Sequence, residues 1–239
     1  MKKKLISAMV YIYIAVVVGV VASAETITGL GVSIPIMNFL KYDSYTEDIN
    51  GKEQLSIDGD EYENTKITGA QATIKLRHVF DSRFVLGADF DIGQATLKVD
   101  DVKADDKFTG LNFDLAIGYA VVDTERFTLV PSVIVGLQHA KQSLGSGTLF
   151  RPEYAVSNSG YIDIKEAFSR YTAFEIGGEL FANFRIGDIV GLFASCKVLY
   201  DIGNFRMAFT DHSGNTLTYR DHKSTAVVVK PSGGVSFTF

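Results

Sequence analysis

From about residue 25 onward the chain alternates between apolar and polar or small side chains, and a period of two admits one kind of regular structure, the β-strand. Successive strand side chains point to opposite faces, so long alternation describes strands whose two faces meet unlike surroundings. Between Arg83 and Val99, Phe84, Leu86, Ala88, Phe90 and Ile92 share one face while Val85, Gly87, Asp89, Asp91 and Gly93 share the other. The pattern returns with Leu111, Phe113, Leu115, Ile117, Tyr119 and Val121 against Gly110, Asn112, Asp114, Ala116, Gly118 and Ala120. It returns again with Phe174, Ile176, Gly178, Leu180, Ala182 and Phe184 against Glu175, Gly177, Glu179, Phe181, Asn183 and Arg185.

Applied throughout, this reading gives eight strands: about 27 to 40, 66 to 80, 83 to 99, 108 to 122, 127 to 142, 170 to 186, 189 to 205 and 224 to 239. Their connections alternate in length. Asp81-Ser82, Asp123 to Arg126 and Gly187-Asp188 are tight, whereas 41 to 65, 100 to 107, 143 to 169 and 206 to 223 are longer. A meander with one short-turn end and one long-loop end is the pattern of an antiparallel up-and-down membrane barrel. The expected fold is all-β, an eight-stranded transmembrane barrel occupying 25–239 as one domain.

Residues 1–24 read as a signal peptide: three lysines, an apolar run from Leu5 to Val21, and the small-x-small closure Ala22-Ser23-Ala24. An uncleaved anchor helix is the other reading of this run. Beyond Val21 no apolar segment is long enough for a membrane helix, so any span must be made of strands. Losing Lys2, Lys3 and Lys4 takes the 23 basic residues to 20 against 28 acidic ones, a net −8, which argues against a nucleic-acid partner. The lone Cys196 excludes an internal disulfide framework and a Cys-rich zinc site, and reads as a small apolar residue.

Alternation does not say which face is outside, because a soluble ligand-carrying barrel shows the same period with its faces exchanged. The polar face decides. It is rich in Gly, Ala, Ser and Thr and carries charges of both signs: Lys75, Arg77, Asp89, Asp91, Asp114, Glu175, Glu179, Arg185, Lys197, Asp201 and Lys230. Small residues with intermixed charges suit a narrow interior whose side chains must pair with one another. The apolar face is then the lipid face, with aromatic girdles of Phe84, Phe127, Phe184 and Phe237 toward the short turns and Phe90, Tyr171, Phe174 and Tyr200 toward the loops.

The chain closes on Val227, Val229, Pro231, Gly233, Val235, Phe237 and Phe239 in alternate positions. This resembles the terminal signature of bacterial outer-membrane barrels, which implies that Val235, Phe237 and Phe239 form the signal read by the barrel-assembly machinery. Across its length the chain resembles in architecture the small eight-stranded families typified by OmpW, OmpX and the opacity proteins. The resemblance implies residence in the cell outer membrane after Sec-type export, contact with outer-membrane lipid, and escort by periplasmic chaperones. It implies two alternative roles: a narrow OmpW-like channel for small hydrophobic solutes, or a non-conducting barrel whose loops contact a host surface ligand in adhesion. A charged lumen fits a plugged barrel better than an apolar conduit.

Other candidate sites are weaker. Asp43, Glu47, Asp48, Glu53, Asp58, Asp60, Glu61 and Glu63 are crowded near Lys41 and Lys52, but their spacing matches no calcium loop, and solvated loop charge explains them. The acid pairs Asp89 with Asp91 and Glu175 with Glu179 suit a core ion network with Lys75, Arg77, Arg185 and Lys197 better than acid–base chemistry. His78, His139, His212 and His222 fall in no catalytic motif, so no enzyme, cofactor or metal is expected. Tyr154, Tyr161 and Phe168 lie in a Ser- and Gly-containing segment that suits either an exposed contact surface or an ordinary polar loop.

Overall fold

The computed structural model describes residues 24–45, 66–99, 102–150, 161–211 and 216–239. Its strands are β1 (Ala24–Ser33), β2 (Ile36–Tyr45), β3 (Lys66–Phe80), β4 (Phe84–Val99) and β5 (Val102–Tyr119), followed by the two-residue β6 (Val122–Asp123). The long strands β7 (Phe127–Phe150), β8 (Tyr161–Arg185), β9 (Val190–Asp211) and β10 (Thr216–Thr238) complete the sheet. β1 and β2 are one barrel strand interrupted at Ile34-Pro35, where proline removes a backbone donor. The interruption is bridged on both sides: Ile34 N–H donates to Pro231 O (2.9 Å) and Gly69 N–H to Pro35 O (3.3 Å).

Every pairing is antiparallel, successive barrel strands pair in sequence order, and β1 pairs with both β3 and β10, so eight strands close on themselves. Followed perpendicular to the strands from Ile27, the register passes Arg77, Gly87, Ala116, Ile134, Gly177, Leu199 and Val228. It returns to the first barrel strand at Met37, ten residues beyond its start. With strand rise and spacing fixed, that stagger sets a tilt of about 40° and an interior that side chains fill.

The short-turn end is tied by local bonds. Arg83 takes a left-handed φ of 65° and its N–H donates to Phe80 O (2.7 Å), while Thr124 and Phe127 exchange backbone and hydroxyl bonds. Thr26 and Phe239 exchange both backbone bonds at 2.9 Å, closing the barrel beside the ends of β1 and β10.

The loop end departs from the expected boundaries. The segment 100–107 is not an eight-residue loop, since the β4–β5 ladder runs to Val99 opposite Val102. β7 and β8 stay paired out to Phe150 opposite Tyr161, and β9 and β10 out to Thr210 opposite Thr216, so 143–169 and 206–223 are largely strand. Alternation reports unlike surroundings on two faces; above the membrane both faces meet water, so the pattern fades while the ladder continues. Residues 46–65 and 151–160, with most of the acidic set and Tyr154, lie outside the described residues. β8 alone has 25 residues, about 80 Å along the strand, against the ~9–11 residues that cross a bilayer.

The outer wall is apolar. Leu30, Leu115, Ile117, Val133, Leu137, Leu180, Phe184, Leu192 and Val198 are all exposed, as is Cys196. Such a continuous surface is tolerated where lipid covers it. Tyr171 was expected in the outer girdle but is inside and 1 % exposed. Its place in alternation with Glu175 and Glu179 fixes the inward direction, and its hydroxyl reaches Asp201 Oδ2 at 3.4 Å.

Candidate functional site

Along β3 the inward residues run from Ile67 through Gln71, Thr73, Lys75 and Arg77 to Val79; along β8 they run from Tyr171 and Ala173 through Glu175 and Glu179 to Phe181. Each strand thus sets polar residues between apolar ones, and on β8 the buried Asn183 follows Phe181 toward the short turn. Ile27, Val79, Val85, Ala120, Val130, Phe181 and Phe193 form an apolar plug at the short-turn end. A second cluster runs from Ala116, Ile134 and Leu199, at the level of the charges, to Met37, Ile67, Ala95, Phe108 and Tyr171 toward the loops.

The polar middle is an ion network. Arg77 lies in a fork against Asp89, with Nη1 to Oδ1 at 2.6 Å and Nη2 to Oδ2 at 3.0 Å, and also binds Glu179. Lys75 bridges Asp89 (2.9 Å) and Glu179 (2.8 Å), and Lys197 bridges Asp89 and Asp114, each at 2.5 Å. Three cations therefore meet three carboxylates. Toward the loops, Lys230 faces Asp91 at 3.4 Å and Ser33 donates to the same carboxylate at 3.3 Å. Glu175 accepts from Asn112 Nδ2 (2.7 Å), and the Gln138 amide, oriented to donate, reaches Asp201 at 2.9 Å and Glu175 at 3.1 Å.

The barrel brings together Lys75, Arg77, Asp89, Asp91, Asp114, Glu175, Glu179, Lys197, Asp201 and Lys230, all buried. Arg185 stands apart, at the short-turn rim, in an ion pair with Glu25. Of the terminal triad, Val235 and Phe239 are exposed on the wall and Phe237 is partly covered. Asn112, Gln138 and Tyr171 were not among the expected network members; Asn112 alternates with Asp114 and Tyr171 with Glu175, whereas Gln138 lies on β7, a strand whose inward face offered no charge to flag it. Position on the polar face was legible; which carboxylate each would serve needed the register.

Glycine makes room for the long charged side chains. A Cβ at Gly87 would stand 2.7 Å from Arg77 Nη1 and 2.8 Å from Arg77 Cδ. Gly87→Val is therefore expected to push Arg77 out of its fork and cost about 1–3 kcal/mol, read as a lowered urea midpoint in detergent. An unaltered midpoint would mean that the fork is not rigidly seated.

Chemically, the network pairs and buries charge. Among the described residues no group of His, Cys, Asp and Glu is arranged to hold a metal ion. No family model matches the chain, and no curated protein matches it in sequence. Among solved structures, the outer membrane protein OprG from Pseudomonas aeruginosa superposes with a TM-score of 0.51 at 11% identity, covering 91% of this chain and 96% of that one. Neisserial surface protein A superposes less closely, with a TM-score of 0.44 at 12% identity over 89% of this chain and 99% of that one. The chain has the fold of the small outer-membrane β-barrels, an eight-stranded antiparallel barrel.

Proposed function

We propose that this protein is an outer-membrane barrel closed to solutes, which acts through the part standing above the lipid. The observation that carries the reading is the filled interior: an apolar plug closes the short-turn end, and above it paired charges are packed among a second apolar cluster that continues toward the loops. A solute crossing it would have to part ion pairs whose members are 0–4 % exposed, and separating buried charges costs several kcal/mol. The narrow-channel reading would need these ion pairs to part as a solute passes. In the same reading the 1–24 leader is removed on export and the Phe239 end serves barrel assembly, while the extended β7–β8 and β9–β10 ladders carry a ligand-binding surface outward.

Refolded protein in planar bilayers is expected to show no unitary current steps. Sustained, defined openings in the unaltered protein would overturn the closed-barrel reading in favour of the channel.

A further inference from the structure

The strand registers set a row of inward carboxylates side by side. Asp89 lies opposite Asp114, Asp114 opposite Gly136, Gly136 opposite Glu175 and Glu175 opposite Asp201, across β4, β5, β7, β8 and β9. All four acids are 0–2 % exposed. Like charges directly opposite one another on paired strands repel, and burial removes the water that would weaken the repulsion.

The cations do not cover the whole row. Among the described residues, the polar middle holds four buried cations, Lys75, Arg77, Lys197 and Lys230, against six buried carboxylates. Their ion pairs reach Asp89, Asp91, Asp114 and Glu179. Glu175 and Asp201 receive neutral donors: the Asn112 and Gln138 amides for Glu175, and the same Gln138 amide with the Tyr171 hydroxyl for Asp201. Lys230 acts on Glu175 through space, yet its ion pair is with Asp91.

Two acceptors flank Glu175 without a donor. Asp114 Oδ1 and Asp201 Oδ1, one on either side of it in the row, are buried and have no hydrogen-bond partner. Asp114 Oδ1 leans over the glycine that separates it from Glu175, since a Cβ at Gly136 would stand 1.9 Å from that oxygen. The Glu175 side chain is within hydrogen-bonding reach of both aspartates. As a carboxylate Glu175 could only accept, and it would face acceptors on both sides.

We propose that Glu175 is a proton-binding site of the barrel, held at neutral pH as an uncharged carboxyl whose O–H donates to a flanking aspartate. Carboxylates that share one site do not all stay ionised, and Glu175 is the middle member of three. One proton, taken from solvent as the barrel closes, turns an acceptor into a donor and removes one of the two charges left uncovered. The proton is then a structural ligand of the seal, and the inference stands apart from what the outward ladders bind.

Infrared spectra of the refolded chain in deuterated buffer at neutral pH read protonated carboxyls directly. The unaltered chain is expected to show a protonated-carboxyl band and Glu175→Gln to lose it. Because glutamine is uncharged and keeps an N–H donor, the urea midpoint of Glu175→Gln in detergent should equal or exceed that of the unaltered chain. Asp89→Asn, which neutralises a carboxylate met by three cations, should lower the midpoint. The assignment is overturned by the lack of a band in the unaltered chain, by a band that survives in Glu175→Gln, or by a midpoint lowered as far by Glu175→Gln as by Asp89→Asn. Should Glu175→Gln not fold, isotope labelling of the glutamate side-chain carboxyls in the unaltered chain decides. A band that shifts with the label supports the site, and one that stays in place belongs to an aspartate and sinks it.

Discussion

Arg77→Ala is expected to destabilise the folded barrel by about 3–5 kcal/mol, the range found when one partner of a buried ion pair is removed. Arg77 is 0 % exposed and donates to both oxygens of Asp89 as well as to Glu179. Lys75 and Lys197 remain beside those carboxylates after the change, but three cations facing three anions become two. The guanidinium also stands 5.2 Å from the Phe181 ring centroid, so its loss opens space above the short-turn plug. Arg77→Lys keeps the charge without the fork and should fall between the two. Urea midpoints in detergent, followed by heat-modifiable migration, measure all three, with Arg126→Ala on the exposed turn as a control expected within about 0.5 kcal/mol. A midpoint for Arg77→Ala equal to the control would mean that the network is not a seal, and the closed-barrel reading would fail with it.

The Arg77 network also marks the boundary of what the sequence discloses. The strand from Lys66 to Phe80 was legible to the residue, because its alternation is bounded by the Asp81-Ser82 turn on one side and an acidic stretch on the other. Its inward charges follow from that parity. Their partners do not: Lys75 meets Glu179 across 104 residues of chain, and only the strand registers and the ten-residue stagger from Ile27 to Met37 bring β3 and β8 to one level. Loop boundaries failed for the opposite reason, since a ladder such as Val99 opposite Val102 needs no apolar face to persist. Tyr171 leaves the girdle that its aromatic ring suggests because its parity, shared with Glu175 and Glu179, turns it inward.

Leu115→Arg should cost about 2–4 kcal/mol in lipid vesicles, whereas Thr109→Arg six residues away on the same face should cost about 0–1 kcal/mol. The outward residues of β5 read Thr109, Leu111, Phe113, Leu115, Ile117 and Tyr119, so Leu115 is the middle of the apolar five and Thr109 lies just beyond them. Its direct neighbours, Ala88 on β4 and Val135 on β7, offer no counter-charge, and the wall around it is apolar. An arginine there must carry its charge through hydrocarbon, while one at Thr109 joins Lys141 directly opposite, at the edge of the headgroup layer. Guanidinium-induced unfolding from vesicles measures both. The difference between the two sites matters more than either value, because it separates a lipid-facing wall from a water-facing one. In a soluble barrel both positions would be solvated and both substitutions nearly neutral, with Thr109→Arg the worse through repulsion from Lys141. A steep decline in cost from Leu115 to Thr109 is produced only by a dielectric boundary lying between the level of Phe113 opposite Leu137 and that of Thr109 opposite Lys141, which is where the wall turns from apolar to polar.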